Sequence, residues 1–162
     1  MEYTAGNVYK AIDMLAPFGG CMAWDNVGLL VGEPDSAVTG ILVTLDVTPA
    51  AVAQALEMRM NCIVSHHPII FHPLKHISAR DAAGLCLANG ISVISAHTNY
   101  DFAPRGVNCA LAQTLGLRNI RPFGPEDKEK PWYSIIVFVP KSHAEAVYRT
   151  TVSYTHLTLP TN

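Results

Sequence analysis

Three short, β-branched apolar runs, at residues 41–45, 62–64 and 91–94, are separated by segments whose apolar residues recur at helical intervals. No other feature restricts the fold as much. A strand followed by a helix can pair with the next strand of the same sheet only through a crossover, which makes the pair parallel and the crossover right-handed. The runs are apolar throughout rather than alternating, as in strands buried on both faces. The expectation is an α/β fold, an open and largely parallel sheet covered by helices.

Local signals mark the elements. Val8, Ile12 and Leu15 share a helical face, with Thr4 as N-cap and Pro17 plus Gly19-Gly20 as a stop. Residues 27–31 read as a short strand and Glu33-Pro34-Asp35 as a turn. Thr48-Pro49 opens a second helix bearing Val52, Leu56 and Met60, since a proline at the first helical position sacrifices no hydrogen bond. Ser78 with Asp81 three residues on resembles a capping box for a third helix, which holds Leu85 on its inner face and stops at Gly90. Residues 106–115, closed by Gly116, form a further short helix. At Pro122 the composition changes: residues 122–131, with Glu126-Asp127-Lys128-Glu129-Lys130, read as a linker. A strand at 134–139 and a helix opened by Ser142 and Glu145 then begin a second unit, so residues 1–121 form one lobe and 132–151 the start of another domain.

At 162 residues, 49% hydrophobic and 15% charged, the chain can bury a core. A net charge of −2 without a Lys/Arg-rich run gives no footprint for nucleic acid or an anionic membrane, which leaves a small-molecule substrate or a protein as partner. No apolar stretch approaches the roughly 18 residues that span a bilayer, and the first residues lack a secretory pattern, so a cytoplasmic location is expected. Cys21, Cys62, Cys86 and Cys109 contain no C-x-x-C pair and read as small buried hydrophobes rather than a disulfide framework or a zinc knuckle. P-loop, G-x-G-x-x-G and G-x-S-x-G patterns are absent.

The chemical signal is histidine. Five of the seven, His66, His67, His72, His76 and His97, fall between positions 66 and 97. His66 and His67 follow directly on one predicted strand and His97 on another, at the carboxyl edge where open α/β sheets carry their ligand crevice. Asp46 ends a third strand there, and Asp101, four residues past His97, sits in a turn-like Thr-Asn-Tyr-Asp run. Imidazole with carboxylate suits Zn, Mn, Fe or Ni, and the lack of paired thiolates points to an open working site. Adjacent residues on extended backbone project in different directions, so His66 and His67 would most easily address two ions, the arrangement of two-metal hydrolases. Hydrogen bonding to turn carbonyls is the alternative role for the pair. His72, His76 and Lys75 lie in a Pro-rich stretch and read as solvated loop residues. Cys62 reads as core rather than nucleophile. Trp24-Asp25-Asn26 reads equally as the rim of a site or as a packed Trp with two turn residues.

The segments A-W-D-N-V-G-L-L-V-G (23–32), S-H-H-P-I-I-F-H-P-L-K (65–75) and S-A-H-T-N-Y-D (95–101) closely resemble the NIF-three-like dinuclear metal-centre family, whose bacterial members are labelled GTP cyclohydrolase 1 type 2 homologues. The resemblance covers residues 4–150. It implies that His66, His67 and Asp101 are metal ligands and that His97 is an additional ligand or a catalytic neighbour. It further implies two divalent ions per full-length chain, two α/β lobes, a homo-hexameric ring, and a PII-like insert beginning in residues 132–147. The family's remaining ligands, in an H-x-x-x-E arrangement, have no counterpart here. The implied activity is hydrolysis of a nucleotide base by a metal-held hydroxide. A non-catalytic regulatory ring and a metallophosphoesterase-like hydrolase are the rivals.

Residues 152–162, V-S-Y-T-H-L-T-L-P-T-N, oppose helix propensity and depart from the family pattern. They match one reading frame of a transposase-type sequencing adapter. The tail therefore reads as an artefact, and His156 carries no functional weight.

Overall fold

The computed structural model describes residues 3–120 and 139–151. The chain divides into two compact units, residues 1–107 and 108–162.

In the first unit, helix α1 (Ala5–Leu15) starts as the sequence predicts. Thr4 Oγ1 accepts from Asn7 N–H while the Asn7 side chain takes the Thr4 N–H, a reciprocal cap that satisfies two otherwise orphaned donors. A single 3₁₀ turn (Phe18–Gly20) follows, then β1 (Gly28–Val31), β2 (Ile41–Thr44), α2 (Pro49–Glu57), β3 (Cys62–Ser65), α3 (Ala82–Ala88), β4 (Ser92–Ser95) and the one-turn helix α4 (Thr98–Phe102). Thr48 caps α2 through the Ala51 N–H, with Pro49 in its first turn. At the far end of α3, Gly90 takes the left-handed conformation at φ 65°.

The third helix corrects its expected start. Asp81, not Ser78, occupies the N-cap of α3, and the Asp81 carboxylate turns back to accept the Ser78 N–H at 3.0 Å. The Ser/Asp pair thus closes a tight turn before the helix rather than a box across its first turn.

The four strands lie in the order β1-β4-β3-β2. β2, β3 and β4 are parallel, and β1 joins β4 antiparallel, giving the mixed α/β sheet the spacing predicts. One layer packs Ile63, Val93 and Ile91 against Val52, Ala55, Ala83 and Cys86 of α2 and α3. The opposite layer packs Cys62, Ile94 and Ala96 against Phe18, Val8, Tyr9 and Ile12. Ile63, Ile91 and Ile94 are wholly buried, each worth about 1.5–3 kcal/mol of transfer free energy.

Register then positions the site. Thr44 of β2 lies beside Ser65 of β3, and Ser65 beside Ser95 of β4, with the two serine hydroxyls 2.8 Å apart. Two residues beyond those aligned ends stand Asp46, His67 and His97. The strand pairing continues past the strands: His66 N–H donates to Thr44 O, His67 N–H to Leu45 O and Ala96 N–H to Ser65 O. Three parallel strands of equal length thus deliver three polar side chains to one edge.

Helix α5 (Val107–Thr114) starts on the last residue of the first unit, and in the second unit α6 (Lys141–Thr151) carries an Arg149–Glu145 pair at 2.7 Å. α6 begins at Lys141, so Ser142 lies inside it and its hydroxyl meets His143 Nδ1 at 3.0 Å instead of capping. The linker at 122–131, the start of the strand at 134–139 and the tail at 152–162 lie outside the described residues. Among the described residues no helix is long and apolar enough to cross a membrane.

Candidate metal centre

His66, His67 and His97 each place a ring nitrogen within 4.8 Å of the others. The chain bends at His66 and His67 just after β3, so the divergence expected of neighbours on a strand does not occur. Their rings sit on one side, with centroids 5.2 Å apart, and the His97 ring lies 5.2 Å from His66 and 5.8 Å from His67.

Each ring is anchored through Nδ1. His66 Nδ1 donates to the Ala96 carbonyl at 3.0 Å. His67 Nδ1 pairs with Asp46 Oδ1 at 2.6 Å and His97 Nδ1 with Asp25 Oδ1 at 3.0 Å. Carbonyl and carboxylate oxygens accept, so the ring proton resides on Nδ1 and the neutral ring carries its lone pair on Nε2. Three imidazoles held in one tautomer by oxygen partners are the donor chemistry of a protein metal site.

Asp101 does not sit in a loop, as its sequence neighbourhood suggests. It lies in α4, whose Asp101 N–H donates to His97 O at 3.0 Å, so the two residues stand one turn apart on the same face. Its Oδ1 is 3.6 Å from His66 Nε2. All four expected residues therefore gather at one sheet edge, the three imidazoles close enough to share a cation and the Asp101 carboxylate beside His66.

Two carboxylates complete the arrangement; the sequence put Asp46 on this edge and Asp25 in a rim-or-turn segment, but did not pair either with a histidine. Asp46 reaches His67 from the end of β2. The Asp25 side chain is fully buried beneath His97. Burial by itself raises the Asp25 carboxyl, but hydrogen bonds from Thr98 Oγ1 at 2.5 Å, from His97, and from the Thr98 and Asn26 N–H groups outweigh it and hold the group below its ordinary value. His66 is likewise held below an ordinary histidine, chiefly because burial disfavours its charged form and secondarily because His97 and His67 stand beside it; Asp101 and the Ala96 carbonyl oppose this in part. It thus keeps the neutral form a cation requires.

Neighbouring Trp24 is 59% exposed while Asp25 beneath it is buried, so Trp24-Asp25-Asn26 is both rim and support. His72, Lys75 and His76 are exposed outside the histidine cluster. Cys62 is wholly buried with its thiol pushed up to about 11, which rules it out as a nucleophile.

The family model of Duf34/NIF3 (NGG1p interacting factor 3) matches residues 3–158, a span that runs past Thr151 into the tail. A protein of Staphylococcus epidermidis named GTP cyclohydrolase 1 type 2 homolog is 41% identical over 133 residues, covering 80% of this chain and 36% of its own length. The crystal structure of a Bacillus cereus protein related to NIF3 superposes with a TM-score of 0.70 at 35% identity, over 91% of this chain and 42% of that one. That of a Staphylococcus aureus hypothetical protein gives 0.70 at 38% identity, over 74% and 35%. The chain thus spans about a third of the length of the curated relatives it matches.

Proposed function

Because the chain belongs to the Duf34/NIF3 family, we propose that it forms the divalent-metal-binding part of a metal-dependent hydrolase that acts on a nucleotide base, as the name of its Staphylococcus epidermidis relative suggests for that protein. The observation that carries this reading is the convergence of three imidazoles on one point, each fixed through Nδ1 by an oxygen partner.

His66, His67 and His97 would hold the cation through Nε2, and Asp101 through a carboxylate oxygen. His97 therefore takes a ligand's role here rather than a purely catalytic one. Nitrogen and carboxylate donors without thiolate fit Zn, Mn, Fe or Ni. A bound divalent ion supplies Lewis acidity toward a substrate oxygen and acidifies a water in its shell. Asp25, Asp46 and the Ala96 carbonyl fix the tautomer and aim of the three rings, and Asp25 also ties His97 to the start of α4. The second ion, the homo-hexameric ring and the PII-like insert, whose beginning we assign to residues 132–151 including α6, belong to the longer form of the protein.

Elemental analysis after dialysis against Zn²⁺ or Mn²⁺ tests the site. His67→Ala or Asp101→Ala should remove most of the bound metal, and equal metal content in the paired variant His66→Ala/His67→Ala would refute the assignment. Release of formate from GTP by the metal-loaded longer form tests the reaction. No release above that of its His67→Ala variant would refute the cyclohydrolase reading while leaving the metal site standing.

A further inference from the structure

The rim of the histidine cluster carries two exposed aromatic rings on anchored loops. Trp24 is 59% exposed and Phe71 40% exposed, yet their centroids stand 6.0 Å apart at 60°. Both face the cluster: the His97 centroid is 6.4 Å from Trp24 and 6.5 Å from Phe71.

The supporting backbone is fixed from below. Met22 N–H donates to Thr98 Oγ1 at 2.9 Å, Asp25 N–H donates to Met22 O at 2.9 Å, and the Asp25 carboxylate grips His97 and Thr98. Asn26 Nδ2 donates to Ile70 O at 2.5 Å, which ties the loop of Trp24 to that of Phe71. Hydrogen bonds thus hold two large apolar rings partly in water, side by side and next to the donor set. Adjacent exposed aromatic rings at the rim of a polar cluster offer apolar surface on which a planar ring can pack.

We propose that Trp24 and Phe71 form a stacking platform for a planar heteroaromatic ring, a nucleobase carried by a free nucleoside or nucleotide. Such a ring can lie offset on the Trp24 indole while Phe71 meets its edge, the geometry that aromatic quadrupoles favour. Stacking accepts any base because every base has a π-face. The net charge of −2 and the absence of a basic run assign the platform to a free nucleoside or nucleotide rather than a nucleic-acid strand. The inference rests on the metal-dependent reading only for what happens to the ring once held; capture of the ring is independent of it.

The test uses indole fluorescence in the full chain carrying Trp132→Phe, which leaves Trp24 as its sole indole. Guanosine should quench Trp24 saturably, and ribose 5-phosphate should not. Trp24→Phe, followed by calorimetry, should keep most of the affinity, whereas Trp24→Ala and, separately, Phe71→Leu should weaken it roughly five- to a hundredfold, the range for loss of one stacking partner. Metal content and circular dichroism of all three variants should match the parent.

Equal affinity of Trp24→Ala and the parent for guanosine would overturn the proposal, as would binding of ribose 5-phosphate as tight as that of guanosine. A single-stranded oligonucleotide bound more tightly than guanosine would overturn the assignment to a free ligand. Failure of the metal reading appears separately, as loss of metal from the parent itself.

Discussion

Asp25 shows most clearly how one side chain sets the chemistry of another. It lies 72 positions from His97, so no local pattern could reveal the pair, and with Trp24 and Asn26 it read equally as a site rim or as a turn. The histidines were legible because each follows directly on an apolar strand; which carboxylate holds which ring was not, because partnership at the sheet edge is decided by register. Replacing Asp25 by Asn keeps the shape and removes the charge that holds the His97 Nδ1–H. Metal affinity, measured by chelator competition, should fall about 10- to 100-fold with the fold intact, and an unchanged affinity would deny Asp25 its orienting role. His66 makes a second residue-scale prediction. Its folded pKa lies below the ordinary 6.5 because burial disfavours the imidazolium. In the metal-free protein its ring protons should titrate by NMR with a midpoint below that value. Between the two pKa values the unfolded chain binds more protons than the folded one, so His66 costs stability as the pH falls through that window. A midpoint above 6.5 would mean that Asp101, not burial, governs the ring.

Among the elements, most local signals matched their reading, the Ser78–Asp81 and Ser142–Glu145 helix starts excepted. The Thr4 and Thr48 caps, the proline start of α2 and the glycine stop at Gly90 each rest on backbone groups only a few residues away. α4 was not legible, since a single turn of Thr-Asn-Tyr-Asp-Phe has too few residues for a hydrophobic period, and the helix depends on Asp25 holding the Thr98 N–H and hydroxyl. The antiparallel sense of β1 also escaped the sequence, because a four-residue strand carries no mark of direction. α3 offers a test of how tightly an element is seated. A Cβ added at Gly84 would stand 1.8 Å from the Ser78 carbonyl oxygen, a backbone atom held by the turn that Asp81 closes. Gly84→Ala must therefore push α3 from the residue 78–81 turn, and it should lower the unfolding free energy by about 1–3 kcal/mol or more, despite alanine's better helix propensity. A denaturant midpoint equal to that of the parent would show that this contact yields without cost.

For the molecule as a whole, the two layers of the sheet predict how stability responds to alkali. Cys86 packs in the layer with α2 and α3, Cys62 in the layer with α1, and both are wholly buried. Burial among apolar groups raises each thiol from 9.0 to about 11. Between those values the unfolded chain has lost protons that the folded chain retains, so the proton count is higher in the folded state and stability must fall as the pH rises. The contribution of each thiol is fully present below pH 9 and is lost progressively toward pH 11, to an extent of up to about 2 kcal/mol per thiol at the top of the range. Urea unfolding at a series of pH values should show this decline, and Cys62→Ala/Cys86→Ala should flatten it even though the variant begins from a lower stability. The same burial should keep both thiols unreactive toward iodoacetamide at pH 8, while the half-buried Cys21 and Cys109 are alkylated. An alkaline slope as steep in the double variant as in the parent would place the titrating groups elsewhere and detach the two core thiols from the pH response.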